Sequence, residues 1–200
     1  MLYPAELRDQ PVFDLPAGAG TFKMASGNRS FMTGSATFIS YPDPRLFEAA
    51  EPRAVDDTLR SIGVRLRAAA EQSQAFGLAG AHIGEVAPVA VVSLGDSKQR
   101  DYRLLFNPRI LSTSEEQELG QEGSVSMPGI EVDVMRAISV RIGFEDETGR
   151  GAELDLSGFA ARVALHEIDQ VNGIFFLGRV SRLKREAAIK RFAKLGRRSG

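Results

Sequence analysis

The ten residues Ala164 to Gly173, A-L-H-E-I-D-Q-V-N-G, carry the strongest signal for the fold and chemistry of this chain. They begin like the H-E-x-x-H helix of zinc metallohydrolases, in which two histidines one helical turn apart bind a metal and the glutamate acts on its bound water. Here the second histidine position holds Gln170. Three interpretations are therefore open: a damaged metal site, a rebuilt metal site, or an ordinary buried helix.

The residues around this stretch predict a helix that is buried on all sides. Ser157 can cap its N-terminus, and Asn172-Gly173 can supply the left-handed backbone that ends a helix. The segment between them is apolar almost all round, which predicts burial. His166 and Gln170 fall on one stripe of the helix together with Val163.

The rest of the chain predicts strands followed by helices. Apolar residues recur at spacings of three and four between Val55 and Ser73, which predicts an amphipathic helix. Alternating or continuous apolar runs predict strands over residues 86–94, 102–111, 134–146, 154–157 and 173–178, with a bend at Asn107-Pro108 and a hairpin turn at 145–150. This order favours an α+β fold with a central helix packed in a curled sheet.

Composition limits the possible chemistry. A chain of 200 residues with 43% hydrophobic and 26% charged residues predicts one soluble globular domain with appendages. No signal peptide or membrane-spanning run is recognisable, so we expect a cytoplasmic protein with no membrane partner. The absence of cysteine excludes disulfides, thiolate metal sites and cysteine nucleophiles. His82 and His166 are the only histidines, so any metal or general-base chemistry must use them together with carboxylates.

Three segments differ in composition. Residues 1–36 are rich in Gly, Ala, Ser and Pro and predict a flexible N-terminal extension. Residues 37–178 form the predicted domain, and residues 179–200 a basic C-terminal helix that begins at about Ser181. From Arg179 onward, nine Lys and Arg residues face one Glu, a net charge of +8, which leaves −9 on residues 1–178 of a chain whose total is −1.

Three motifs occur in order along the chain: G-L-A-G-A-H-I-G at 77–84, E-G-S-V-S-M-P-G at 122–129 and H-E-I-D-Q-V-N-G at 166–173. With Y-P-D-P-R-L at 41–46 before them, they resemble the signature motifs and N-terminal entry of the peptide deformylases, from about Phe38 to Phe176. The resemblance implies a peptide-deformylase-like α+β fold, with curled antiparallel or mixed sheets around the central helix. It also implies a hydrolase that removes formyl from the initiator methionine of new proteins.

The resemblance further implies a divalent metal, ferrous iron or zinc, held by one cysteine and two histidines. His166 matches the first histidine ligand, and Glu167 matches the general acid/base beside it. Ser124 stands at the cysteine position and Gln170 at the second histidine position. A serine alkoxide forms with difficulty near neutral pH, and an amide rarely binds such metals tightly. The two substitutions therefore predict weak or absent metal binding and lost or strongly reduced activity.

The same resemblance assigns the remaining site residues. His82 stands where the family has a glutamine that stabilises the developing oxyanion, and the backbone N–H of Val125 can still serve as the second donor. Phe76, Gly77 and Leu78, with Val125, match the positions that contact substrate. The framework matches better than the catalytic positions, so the fold is better supported than the activity.

Alternative functions stay open on the sequence. A rebuilt metal site can combine His82, His166 and a carboxylate such as Glu167, which is a ligand set known for zinc and ferrous iron. His82 can equally be a loop histidine that hydrogen-bonds Ser124 or Gln170. A metal-free nucleophilic pair of Ser124 and His166 is a third alternative, although no orienting carboxylate or strained elbow is evident.

The expected partners are peptides with N-terminal formyl-Met or Met, and no DNA or membrane partner is expected. The basic C-terminal helix has two interpretations. An apolar stripe of Leu183, Ala187, Phe192 and Leu195 can pack it on the domain, so that its charges are simply solvated. Alternatively, clustered Lys and Arg residues can bind ribosomal RNA, and the segment resembles the C-terminal helix with which some deformylases dock on ribosomes.

Overall fold

A computed structural model describes residues 37–95 and 100–197 of the chain. The predicted flexible extension over 1–36 lies outside the described residues. Within them, the helices are α1 (Asp57–Ser73), α2 (Gly158–Val171) and α3 (Arg182–Gly196). The strands are β1 (Gly77–Ala79), β2 (Val89–Ser93), β3 (Tyr102–Thr113), β4 (Gln117–Gly123), β5 (Glu131–Ala137), β6 (Ser139–Glu145) and β7 (Gly151–Ser157). No helix in the described part of the chain is long and apolar enough to cross a membrane.

The strands form two antiparallel sheets. The larger has five strands in the order β1-β2-β3-β6-β7, and β4 and β5 pair separately as a small sheet. β3 bends at a bulge between Phe106 and Arg109, where Asn107 adopts a positive φ of 47°, in agreement with the predicted bend. The chain turns between β6 and β7 through residues 146–150, as the sequence predicts.

Helix α2 is the centre of the structure. Every residue from 161 to 171 is buried, which confirms the prediction from its apolar surface. Ser157 occupies the N-cap, although its side chain makes no capping hydrogen bond. At the other end Gly173 takes a φ of +72°, and a Cβ there would lie 2.8 Å from the carbonyl oxygen of Phe47. Only glycine fits both the backbone conformation and this close approach.

Three local predictions differ from the structure. The apolar run at 134–146 is split at Ile138 into β5 and β6, which belong to different sheets, because alternation does not reveal a change of sheet. β4 was not predicted, since Q-E-L-G-Q-E-G contains no β-branched or aromatic residue. The strand expected at 173–178 is wrong: Phe176–Arg179 forms a 3-10 helix, and its apolar residues reflect burial rather than pairing.

Helix α3 packs on the domain along a stripe shifted from the predicted one. Ala188 is buried, and Phe192 and Leu195 pack against the cluster around it. Leu183, in contrast, has 78% of its surface exposed, and Ala187 is also exposed, so the predicted inclusion of these two residues is wrong. The packed positions follow spacings of four and three, which direct Ala188, rather than Ala187, toward the domain.

A buried ionic network joins the small sheet to α2. Arg136 on β5 donates from Nε and Nη2 to the two carboxylate oxygens of Glu122 on β4, at 2.8 and 2.9 Å. The same guanidinium pairs with Asp169 on α2, which also binds Arg179. Arg162 on α2 donates from Nη1 to Glu122 at 3.1 Å. The network therefore cross-links β4, β5 and α2 through charges that are withdrawn from water.

We predict that Arg136→Leu destabilises the fold by about 3 kcal/mol or more, because it leaves Glu122 and Asp169 buried with fewer cations. Urea unfolding followed by circular dichroism measures the change. Arg141→Leu is the matched control: Arg141 pairs with Glu153, both side chains are more than half exposed, and its loss should cost less than about 1 kcal/mol. Equal losses in the two variants would contradict the structural role of Arg136.

Candidate active site

The polar residues predicted for the active site meet beside α2 and are almost completely buried. His82, Ser124, His166, Glu167 and Gln170 each expose 4% of their surface or less. His82 comes from a 3-10 turn after β1, Ser124 follows β4, and the other three lie on α2. Buried polar groups must find hydrogen-bond partners, so the partners of each side chain define what the site can do.

His166 is held by a carboxylate that the sequence did not identify. Its Nδ1 lies 2.9 Å from Oε2 of Glu122. Burial alone would raise the pKa of Glu122, but hydrogen bonds from Arg136 and His166 outweigh burial and hold this pKa well below its usual range. Glu122 is therefore ionised and accepts the Nδ1 proton, so Nε2 is the ring nitrogen of His166 that Glu122 does not engage. In the sequence, only the position of Glu122 as the first residue of the second motif indicates that it belongs to the site.

His82 is neutral and uses both ring nitrogens. Its Nδ1 accepts the backbone N–H of Ala79 at 3.0 Å, so Nε2 carries the proton and donates to Oγ of Ser124 at 3.3 Å. Burial lowers the pKa of His82 well below its usual value. This is the hydrogen bond expected of a loop histidine, and it leaves no lone pair on the His82 ring for a metal.

Ser124 and Gln170, the residues predicted at two ligand positions, are likewise hydrogen-bonded to protein groups. Ser124 Oγ accepts the proton of His82 and also the backbone N–H of Ser126, at 3.2 Å. Gln170 donates from Nε2 to the carbonyl oxygen of Leu46 at 2.7 Å. Leu46 belongs to the Y-P-D-P-R-L segment, so Gln170 ties α2 to the first described residues of the domain.

The carboxyl group of Glu167 is enclosed by protein, and one of its oxygens has no hydrogen-bond partner among the described residues. A Cβ on Gly77 would lie 2.7 Å from its Oε1 and Cγ, so the absence of a side chain at position 77 makes room for it. Its Oε2 has no hydrogen-bond partner among the described residues and lies 3.8 Å from Nδ1 of His82. Burial raises the pKa of Glu167 to about 7. Because His82 is neutral, the contact between them is not an ion pair.

Of the residues predicted to contact substrate, Phe76 and Leu78 lie in the core, whereas Val125 lines a cavity. The ring of Phe76 is buried between the guanidinium of Arg100, 3.7 Å from its centroid, and the ring of Phe159. Leu78 is buried among residues of α1 and β2. Contacts of residues 76–78 with a peptide would therefore use backbone groups. Val125 instead lines a cavity of about 320 Å³ whose other lining residues are Phe38, Ser73, Gly123, Ser124, Pro128, Gly129, Ile130 and Glu131.

Comparisons to known proteins show the family of the chain. Residues 35–186 match the model of the polypeptide deformylase family. The chain belongs to this family. It is 39% identical over 160 residues to a peptide deformylase-like protein of Brucella melitensis, covering 80% of this chain and 96% of that protein. It is 34% identical to a peptide deformylase of Mesorhizobium japonicum over 161 residues, which cover 80% and 92% of the two chains.

Solved structures confirm the predicted peptide-deformylase-like α+β fold. The crystal structure of peptide deformylase from Ehrlichia chaffeensis matches with a TM-score of 0.75 and 26% identity, over 83% of this chain and 99% of that one. The deformylase family is metal-dependent, and its scaffold is present here. The roles given above to individual site residues stay predictions.

The side chains at the predicted metal position do not fit a catalytic zinc or iron site. Such sites use three protein ligands, drawn from histidine, cysteine and carboxylate groups. Here His166 offers Nε2, while Ser124 and Gln170 offer a hydroxyl and an amide that already bond to His82 and Leu46. Across residues 37–95 and 100–197, no group of three or more His, Cys, Asp or Glu side chains is arranged to hold a metal ion.

We predict that Glu167→Gln removes a pH dependence of stability. A pKa raised from 4.5 to about 7 means that the folded state binds the proton more tightly than the unfolded state. The resulting stabilisation is present below about pH 4.5 and is lost as the pH rises through 7. The difference in free energy of unfolding, wild type minus Glu167→Gln, should fall by about 3 kcal/mol between pH 4.5 and pH 8.

Chemical denaturation at intervals of half a pH unit measures this difference. Glu153→Gln is the control, because Glu153 is more than half exposed and should leave the pH profile of the wild type unchanged. Parallel curves for wild type and Glu167→Gln from pH 4.5 to 8 would show that the Glu167 carboxyl is not perturbed by burial.

Proposed function

We propose that this chain is a deformylase-family protein that has lost efficient deformylation and binds N-terminal methionine peptides without hydrolysing them. One observation carries the proposal: the side chains at two of the three family ligand positions are engaged by protein groups, Ser124 by His82 and Gln170 by the Leu46 carbonyl. Each of these two side chains has at least one hydrogen-bond partner inside the protein. The two positions are thus filled by groups suited to a metal-free interior.

The other features of the site support peptide binding. Val125 lines the cavity beside Ser124, which supports its backbone N–H as a candidate donor to a ligand carbonyl. Glu167, with a pKa of about 7, keeps the character of a general acid/base. A base alone does not supply the electrophilic activation that three ligands and a metal provide in the family. Retained peptide binding without turnover is consistent with this combination.

The two catalytic alternatives have less support. A rebuilt metal site needs a free nitrogen on His82, but Nδ1 accepts from Ala79 and Nε2 donates to Ser124. A nucleophilic serine needs a base that accepts its proton. The partner of Ser124 is His82 rather than His166, and its facing nitrogen already carries a proton.

The proposal is tested by metal content and deformylation measured on the same protein. Wild type purified anaerobically is offered ferrous iron, zinc, nickel or cobalt and then assayed with a formyl-Met peptide. We expect substoichiometric metal and no turnover above background. The variant His82→Gln/Ser124→Cys/Gln170→His restores the family's residues and should bind metal at least about 100-fold more tightly, with measurable deformylation.

Two controls make this comparison decisive. Glu167→Ala in the restored variant should abolish the gained turnover, because the general acid/base is removed. The single variant Ser124→Cys should gain less metal affinity than the triple variant, because Gln170 does not supply the imidazole nitrogen of a histidine ligand. Stoichiometric metal with Glu167-dependent turnover in the wild type would refute the proposed loss of activity and direct attention to a rebuilt site.

For the basic C-terminal helix we propose a contact with ribosomal RNA. The helix packs through Ala188, Phe192 and Leu195, while Lys190, Lys194 and its other Lys and Arg side chains are on the exposed surface. Exposed, clustered cations attract phosphate and make binding sensitive to salt. The net charge of −9 on residues 1–178 leaves this helix as the favourable face for an anionic partner.

We predict that Lys190→Glu/Lys194→Glu abolishes co-sedimentation with ribosomes at low salt, because it reverses two exposed charges without touching the packed stripe. Arg103→Glu/Arg150→Glu changes the net charge equally at exposed positions outside the helix and should leave co-sedimentation intact. If both double variants behave like the wild type, the ribosomal contact is excluded and the charges only solvate the helix.

A further inference from the structure

We propose that the cavity beside Ser124 selects peptides whose N-terminal methionine carries a free α-ammonium group, in preference to formylated peptides. The inference rests on the proposed function as a non-catalytic binder of methionine peptides and specifies its ligand. It reverses the preference expected from the family, because the formylated chain is the family's substrate. Three features of the cavity support it: its apolar walls, its hydrogen-bond donors and its single carboxylate.

The walls of the cavity fit one apolar side chain. Phe38, Val125, Pro128 and Ile130 present hydrophobic surface. The volume of about 320 Å³ is at the small end of the range for ligand sites in proteins, roughly 300 to 1,000 Å³. A cavity of this size takes a single residue with its adjoining peptide group rather than a long segment. An unbranched thioether adapts well to such a space.

Toward a ligand, the Ser124 hydroxyl can act only as a hydrogen-bond donor. A hydroxyl has one proton and two lone pairs, and the lone pairs of Ser124 already accept from Nε2 of His82 and from the backbone N–H of Ser126. Its own proton is left to donate. With the backbone N–H of Val125, the next residue in the lining, it provides two donors suited to a peptide carbonyl oxygen.

Glu131 is the residue that distinguishes a free N-terminal ammonium group from a formylated N-terminus. It is the one ionisable side chain in the lining of this cavity among the described residues. It pairs in register with Gly123, directly before Ser124, so the carboxylate and the two donors belong to neighbouring positions of the same wall. A carboxylate next to an apolar pocket favours a cation over a neutral group of similar size, because the cation replaces lost hydration with an attractive charge.

A peptide with free N-terminal methionine satisfies all three features together. Its ammonium group faces Glu131, its first carbonyl accepts from Ser124 and Val125, and its thioether packs on the apolar walls. Formylation removes the positive charge and adds a carbonyl next to a carboxylate. In the part of the chain that the structure describes, no cluster of His, Asp or Glu side chains is arranged to hold the metal that would draw the formyl oxygen in the family. The preferred ligand is therefore the deformylated chain.

The test compares the affinities of three fluorescent peptides of identical sequence, beginning with Met, formyl-Met and N-acetyl-Met, for the full-length protein by fluorescence polarisation. We expect the free-amine peptide to bind about five- to tenfold more tightly than both blocked peptides at low salt, as for a partly exposed charge pair. Glu131→Gln should bring the three affinities together. Asp133→Asn, which removes an exposed carboxylate two residues further along β5, should keep the preference.

The outcomes separate this inference from the proposed function. Equal or tighter binding of formyl-Met, or a preference that survives in Glu131→Gln, overturns the selectivity while leaving methionine-peptide binding in place. Failure of all three peptides to bind overturns both. Val125→Trp fills the cavity and should weaken all three peptides alike. If it does not, binding occurs elsewhere and the assignment to this cavity is wrong.

Discussion

The structure depends on one buried carboxylate. Glu122 on β4 is fully enclosed and accepts hydrogen bonds from Arg136 on β5 and from Arg162 and His166 on α2, so three side chains converge on a single charge. Removing a carboxylate from water costs several kcal/mol unless donors surround it, so these elements must come together in one arrangement. That arrangement fixes the ring of His166 and with it the orientation of the site. Structural packing and site geometry are therefore consequences of the same interaction.

A family metal site that changes its ligands must still satisfy the polar groups that remain in its interior. The two residues predicted at changed ligand positions each have a partner: Ser124 bonds to His82, and Gln170 bonds to the carbonyl of Leu46. Ser124 and His82 are therefore joined by one hydrogen bond, and Gln170 is bonded separately to a backbone carbonyl. Glu167 is the exception, because one of its oxygens has no partner among the described residues and burial raises its pKa to about 7. It is the part of the site that most resembles unaltered catalytic machinery.

Much of the fold could be predicted from the sequence, and the errors have physical causes. The α+β class, the buried central helix, α1 and the turn after β6 follow from periodicity and from turn residues. β4 was missed because its pairing with β5 depends on Arg136 and Glu122 rather than on its own propensity. The apolar run at 173–178 is buried without being a strand, and Leu183 is exposed although it is hydrophobic. In each case tertiary contacts outweighed a local pattern.

The sequence by itself determined which atoms are available at the site. With no cysteine, two histidines and a glutamine at position 170, the residues themselves limit the donor set. The tertiary structure decided how those atoms are used: the proton on Nε2 of His82, the raised pKa of Glu167, and the bond between Gln170 and Leu46, which are 124 residues apart. Protonation and hydrogen bonding depend on burial and on distances between remote segments, and only the folded chain defines these.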